Sequence, residues 1–338
     1  MRRDHNPLSD FHESPCYIGR VNLRVVVAWI SALALASCGR STPSPAASST
    51  SPSSTTAIAA TKIAHGKSTA DLHCTPDLHF PSPLKVPEAS IAAEVELTPG
   101  VREMLVVSDS GNDGAAVLWK IPEGPVRSIH LPLDKNASDD LEGGAWRGGH
   151  FFALTSSGAV RRYSPDGHGA LAQDGDSYRI GEPPYSCVDL DKVNCGKNYE
   201  GLCLHAEAPA DGSTPRCIGY AASKKEGALY CLVMMDNQLT IDKVRKPLVL
   251  SLEKDALSDC AFGAWGGPAQ NTLVITTNIH GGSTSFVVDE ATGDLKTIDV
   301  ASTLTNEAIA VDKDGALYQM MDDNGEESLA TRMSCTGW

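Results

Sequence analysis

The sequence has no C-x-x-C pair, no G-x-S-x-G elbow, no two histidines four residues apart and no basic cluster, and each absence removes a class of function. Without C-x-x-C a zinc knuckle or a thioredoxin-like redox pair has little to stand on. Without the nucleophile elbow, Ser283 and Ser285 in "GGSTS" are hydroxyls with no spacing that would place a base. His130, His150, His205 and His280 stand singly, so no helical histidine pair can hold a catalytic zinc, and His280, before two glycines, reads as a surface-loop residue. The 28 basic residues are outnumbered by 42 acidic ones, and removal of residues 1–37 leaves 24 against 39, a net charge of −15. Such a surface lacks the footprint that nucleic acid or anionic lipid requires, because counterion release needs clustered Lys and Arg. Cations suit it better. Helical periodicity is missing over any long window, which weakens α/β architectures.

What is present begins with an address. Residues 21–38, "VNLRVVVAWISALALASC", hold an apolar run of about a dozen residues beside Arg20 and Arg24, too short for a spanning helix and placed as a secretory signal. Its last residues, Leu35-Ala36-Ser37-Cys38, resemble the bacterial lipobox, which implies cleavage after residue 37 and a lipid anchor on Cys38. An ordinary signal peptide with an incidental Cys38 is the alternative. Gly39 in place of aspartate implies, for a Gram-negative source, an outer-membrane lipoprotein facing the periplasm. Residues 1–20 are longer and more polar than a signal requires, which points to a start near Val21. Residues 38–69 follow as a Ser/Thr/Pro-rich tether that cannot bury enough surface to fold, and residues 70–338, with 41% apolar content over the whole chain, form the globular domain.

Eight cysteines fall in that domain, an even number that reads as disulfides in an exported protein. Cys187 and Cys195 close a short loop, Cys203 and Cys217 lie on successive strand-like segments, and Cys74 and Cys335 mark the two ends. The pairing expected is Cys74–Cys335, Cys187–Cys195, Cys203–Cys217 and, by remainder, Cys231–Cys260.

Acidic residues then lead short apolar segments five times: Glu88 ("PEASIAA"), Glu142 ("LEGGAW"), Glu200 ("YEGLCL"), Asp259 ("SDCAFG") and Glu307 ("NEAIAV"), in steps of 54, 58, 59 and 48 residues. After each come two more β-rich stretches separated by Gly-rich turns. Units of three or four strands at this period predict an all-β fold, a β-propeller of five blades with room for a sixth. The final unit is one strand short, and "LHCTPDLHFPSPLKVP" (72–87) can supply it, so that strands from both termini close the ring. The long stretch 165–197 reads as an outer strand plus a cross-linked loop.

These acid-led strands resemble the calcium-dependent propellers of the gluconolactonase/regucalcin and strictosidine-synthase type. With a lipobox in front, "PEASIAA" and "DLEGGAW" are similar to the SdiA-regulated and esterase-like-phytase propellers. The resemblance implies that Glu88, Glu142, Glu200, Asp259 and Glu307 begin the innermost strands and face the channel, with Glu142, Glu200 and Glu307 as metal ligands. The sequence departs from the pattern at "EASIAA", which lacks the glycine, and at "SDCAFG", where cysteine replaces it. Calcium is the expected ion, since a hard cation takes six to eight oxygens. Each acid could instead accept backbone N–H groups from the next blade and staple the blades without metal.

Asp109, Asn112 and Asp113 in "VSDSGNDGAA", and the acids of "DDNGEE" (322–327), read as hairpin turns with a calcium-loop alternative. Phosphate recognition has three basic candidates, "SKKEG" (223–227), "RR" (161–162) and "KVRK" (243–246), which surface solubility explains as readily. The function expected is a membrane-anchored binding or scaffold module with an unknown protein or small-molecule ligand; a metal-dependent hydrolase of a lactone or phosphoester is the alternative.

Overall fold

The computed structural model describes residues 72–338 except 78–79, 81–83, 122–125, 183–186, 188, 190, 206–216, 265, 280–281, 301–305 and 322–326. The signal segment, Cys38, the tether and His280 lie outside the described residues, as does most of "DDNGEE".

The described residues form five antiparallel sheets and no helix. After β1 (His73–Pro76), blade 1 comprises β2 (Ala89–Thr98), β3 (Val101–Ser108), β4 (Ala115–Lys120) and β5 (Val126–His130). Blade 2 comprises β6 (Leu141–Arg147), β7 (His150–Thr155) and β8 (Ala159–Pro165), edged by β9 (Leu171–Gln173) and β10 (Tyr178–Arg179). Blade 3 comprises β11 (Tyr199–Leu204), β12 (Gly219–Ser223) and β13 (Ala228–Met235), edged by β14 (Gln238–Ile241) and β15 (Leu248–Val249). Blade 4 runs through β16 (Leu257–Phe262), β17 (Leu273–Ile279), β18 (Gly282–Val288) and β19 (Leu295–Thr297). Blade 5 is β20 (Asn306–Val311), β21 (Ala316–Met321) and β22 (Leu329–Thr336), completed by β1.

The innermost strands β2, β6, β11, β16 and β20 touch in a closed ring, each packed against the next and β20 against β2. This is a five-bladed β-propeller, without the sixth blade. Its core lies in five apolar clusters between blades, as where Met104, Trp119, Tyr318 and Met320 seal blade 1 against blade 5. Inner strands are therefore apolar on both faces, β11 being buried at every residue, whereas the outer β5 alternates between exposed and half-buried. Turn chemistry fits the strand ends. The β6–β7 hairpin closes through Gly148-Gly149 and the β13–β14 hairpin through Asp236-Asn237, all four at positive φ, as a two-residue primed turn requires.

The expected closure is present: β1 pairs antiparallel with β22, with Cys74 opposite Cys335 and the two disulfide-bonded. Cys187 bonds Cys195, within a loop that follows the outer strands of blade 2. The other two links differ from the expected Cys203–Cys217 and Cys231–Cys260. Cys203 bonds Cys260 and Cys217 bonds Cys231. The reason is direction: Cys203 sits on an innermost strand and lies in the apolar cluster shared with blade 4, where Cys260 occupies the adjacent innermost strand. One disulfide thus joins two blades and the other stays within blade 3.

Candidate functional site at the channel mouth

Every innermost strand opens with a register irregularity. The residue left unpaired against the second strand is Ser90 in β2, Glu142 in β6, Glu200 in β11, Ser258 in β16 and Glu307 in β20. A β-bulge re-aims one side chain where the ladder is interrupted, and at four of the five positions it faces one mouth of the channel. A second tier comes from the end of the second strand in four blades: the residue just after β3, β7 and β12, and the penultimate residue of β17. Asp109, Ser156, Lys224 and Asn278 donate their backbone N–H groups to the carbonyls of Glu88, Asp140, Asn198 and Ala256, each two residues before the bulge, at 2.8, 3.3, 2.9 and 2.7 Å.

This registration sets two of the five expected acids off the bulge position, and turns one of them, Asp259, out of the channel. Glu88 matches Asp140 rather than Glu142; it precedes β2 at positive φ, lines the mouth, and accepts from Asn112 Nδ2 at 3.1 Å. Asp259 stands one residue past the bulge, so the period-two alternation turns it away from the channel. It is buried, with Oδ1 accepting from Cys260 N at 2.7 Å and Oδ2 from Ile309 N of blade 5 at 2.8 Å, and burial pushes its carboxyl up against these two donors. Asp259 is the inter-blade staple. At the same position blades 2 and 3 have Gly143 and Gly201, where an added Cβ would lie 2.4 Å from Leu202 N and 2.7 Å from Asp259 Oδ1. Adjacent backbones meet there too closely for a side chain.

The mouth is a cavity of about 180 Å³ lined by Glu88, Ser90, Asp109, Glu142, Asn194, Glu200, Lys224 and Glu307. It divides by charge. On the blade 3 side Lys224 pairs with Glu200 at 3.1 Å, and Asn198 Nδ2 donates to the same carboxylate at 2.6 Å. Glu307 accepts from Asn278. On the other side Asp109, Asp140 and Glu142 bring ligand oxygens within 4.8 Å of one another. This triad shares only Glu142 with the expected ligand set of Glu142, Glu200 and Glu307. The latter two carboxylates are engaged by Lys224, Asn198 and Asn278.

Burial, then the charges of Glu200, Asp109 and Asp140, push Glu142 well above the usual carboxylate range, with Lys224 opposing. Among the described residues no donor is bonded to its carboxylate. Burial pushes Glu200 up to about 7 against the pull of Lys224. Asp140 is also raised by burial, partly offset by bonds from Ser156 and Asn194. Asn194 belongs to the Cys187–Cys195 loop and donates its N–H to Ser156 Oγ at 2.8 Å, so that loop is tied to the triad. Asp140 and Asn194 had no signal as single residues. The match of Asp140 to Glu88, two residues before the bulge, is the pattern that finds the former.

The remaining candidates lie elsewhere. His150 Nδ1 meets Ser164 Oγ at 3.0 Å on blade 2, and His205 stacks on Phe262 with centroids 3.7 Å apart and is driven down to about 4 by burial and then by Arg147. Ser285 is buried between blades, accepting from Gln319 Nε2 at 2.9 Å. Lys243 and Arg245 of "KVRK" pair with Glu182 and Asp242 at 2.8 and 3.2 Å. The opposite end of the channel holds a second cavity of about 360 Å³ lined in part by Trp146, Phe262 and the Cys203–Cys260 link.

Comparison with known proteins yields structural likeness alone. No family model matches the chain, and no curated protein matches it. Among solved structures it is similar to virginiamycin B lyase from Staphylococcus aureus, at 10% identity over 79% of this chain and 73% of that one, with a TM-score of 0.36. It is also similar to the WD40 repeats of RRP9, at 8% identity over 73% and 79% of the two chains with a TM-score of 0.38. A third is U3-55K, at 9% identity over 79% and 99%, with a TM-score of 0.39.

Proposed function

We propose that this chain is an exported, lipid-anchored propeller that serves as a binding module, and that its acidic mouth takes one divalent cation, calcium by its oxygen chemistry. The observation that carries the reading is the convergence of Asp109, Asp140 and Glu142 within 4.8 Å. Three carboxylates crowded together destabilise one another when ionised, and a hard cation relieves that repulsion while water completes its shell. Lys224 plays the same neutralising part for Glu200, so the resident ammonium and the bound ion divide the ring between them. Four disulfides agree with export to an oxidising compartment.

Titration calorimetry of the mature chain, with melting in Ca²⁺ and in EDTA, tests the reading. Binding of one ion and a raised melting temperature support it; no heat and no shift overturn it. Anchoring through Cys38 is tested by Cys38→Ser, which should move the protein from the membrane fraction to the soluble one. Retention in membranes would reject the anchor.

A metal-dependent hydrolase is the second reading, favoured by Glu200, a carboxyl held up to about 7 beside the triad and thus suited to proton transfer near neutral pH. A lactone fits it better than a phosphoester, because among the described residues Lys224 is the one basic side chain lining the mouth. EDTA-sensitive lactone turnover, lost in Glu200→Gln, would favour this reading over simple binding.

A further inference from the structure

Arg161 of β8 has no exposed surface. It belongs to the "RR" pair that solubility was expected to explain, and the structure assigns the two arginines different fates. Arg162 pairs with Asp174 at 2.8 Å, whereas Arg161 runs into the interior and ends beneath residues 131–140, the connection from blade 1 to blade 2. Its Nη1 donates to Ser138 O at 2.7 Å, its Nη2 to Ala137 O at 2.8 Å and to Asp134 O at 3.4 Å, and its Nε lies 3.4 Å from Asp134 Oδ1. The Asp134 carboxylate is held in turn by Ser177 N at 2.8 Å, Ser177 Oγ at 2.7 Å and Gln173 Nε2 at 2.9 Å. These donors and Arg161 hold Asp134 below its ordinary range although burial works against them.

Burying a guanidinium costs several kcal/mol, and an apolar residue would fill the same volume at less cost. What the planar fork adds is a fixed set of donors that holds several carbonyls of one segment in a single arrangement. The segment ends in Asp139 and Asp140. Ser138, whose carbonyl takes the shortest of these bonds, is two residues before Asp140.

We propose that Arg161 is a positioning residue for the cation site: by fixing the backbone at residues 134–138 it sets the Asp140 carboxylate against Asp109 and Glu142. The proposal rests on the cation reading above. It also makes the outer strands of blade 2 part of the site's support, since Gln173 of β9 and Ser177 hold the acid that holds Arg161.

The experiment compares the mature wild-type chain with Arg161→Lys, Asp134→Asn and Arg332→Met. Arg332 pairs with Asp77 at 3.1 Å on blade 5, away from the mouth, and controls for loss of a partly buried arginine pair. Calcium affinity is read by calorimetry, and amide exchange of residues 131–140 is read in EDTA. Arg161→Lys keeps the charge but not the fork, and should weaken calcium by about 10- to 100-fold, as loss of outer-shell support does elsewhere. It should also speed exchange in the segment. Arg332→Met should change neither. Asp134→Asn should move both in the direction of Arg161→Lys, and it decides the matter if Arg161→Lys does not fold. Affinity within about twofold of wild type in both Arg161→Lys and Asp134→Asn overturns the positioning role, as does unchanged exchange. A wild-type chain that binds no calcium overturns the cation reading itself and Arg161's part in it.

Discussion

A carboxylate pressed among Glu200, Asp109 and Asp140 raises the free energy of the folded chain whenever it is ionised, so Glu142→Gln should stabilise the protein in EDTA. The gain is about 1–2 kcal/mol, the scale of one like-charge contact. The same substitution should remove the calcium-induced rise in melting temperature, and denaturation with and without the ion measures both. Glu200 gives a pH dependence whose sign follows from its shift. Raised from 4.5 to about 7, it binds more protons folded than unfolded in that interval, so its contribution to stability is greatest below it and is lost as pH rises through 7. His205, lowered to about 4, acts the other way as pH falls below 6.5, which is why the comparison must be differential. The stability of wild type minus that of Glu200→Gln should decline from about pH 5 to about pH 7.5. A flat difference would show that Glu200 titrates as an exposed glutamate.

At the scale of a strand, one residue of register separates a channel acid from a staple. Removing the Asp259 carboxylate strands two buried N–H groups, those of Cys260 and Ile309, and Asp259→Ala should cost about 2–4 kcal/mol in urea unfolding. Asp259→Asn, able to accept one of the two bonds, should cost less. This is also where legibility in the sequence stops. The recurrence of acid, small residue and apolar strand is strong enough to count blades, because each blade must repeat the same burial. It does not show that a bulge adds a residue at the head of each inner strand, so aligning on the nearest acid placed Glu88 two positions early and Asp259 one position late. Glu142, Glu200 and Glu307 were found because there the acid and the bulge coincide. The cross-blade disulfide was missed for a related reason: sequence neighbours such as Cys203 and Cys217 suggest a local link, whereas Cys203 faces the next blade and finds Cys260.

For the whole molecule the ring is closed by a seam inside the fifth sheet, where β1 from one end of the domain pairs with β22 from the other. The Cys74–Cys335 link spans 261 residues, and chain-entropy arguments give its loss a cost of about 5–6 kcal/mol. The double variant Cys74→Ser, Cys335→Ser should therefore melt well below wild type while remaining folded through the β1–β22 ladder and the Arg332–Asp77 pair. A loss under about 1 kcal/mol would show that the ladder alone closes the ring. The connectivity also has a bearing on how the chain must be made. Cys217–Cys231 is enclosed by Cys203–Cys260, and both lie inside Cys74–Cys335. In a chain exported from the cytoplasm N-terminus first, Cys74 emerges before every other cysteine of the domain and its partner Cys335 last. Oxidation in order of arrival would join Cys74 to Cys187, so correct maturation requires either a thiol kept waiting across the whole length of export or an isomerase that undoes the first bond made.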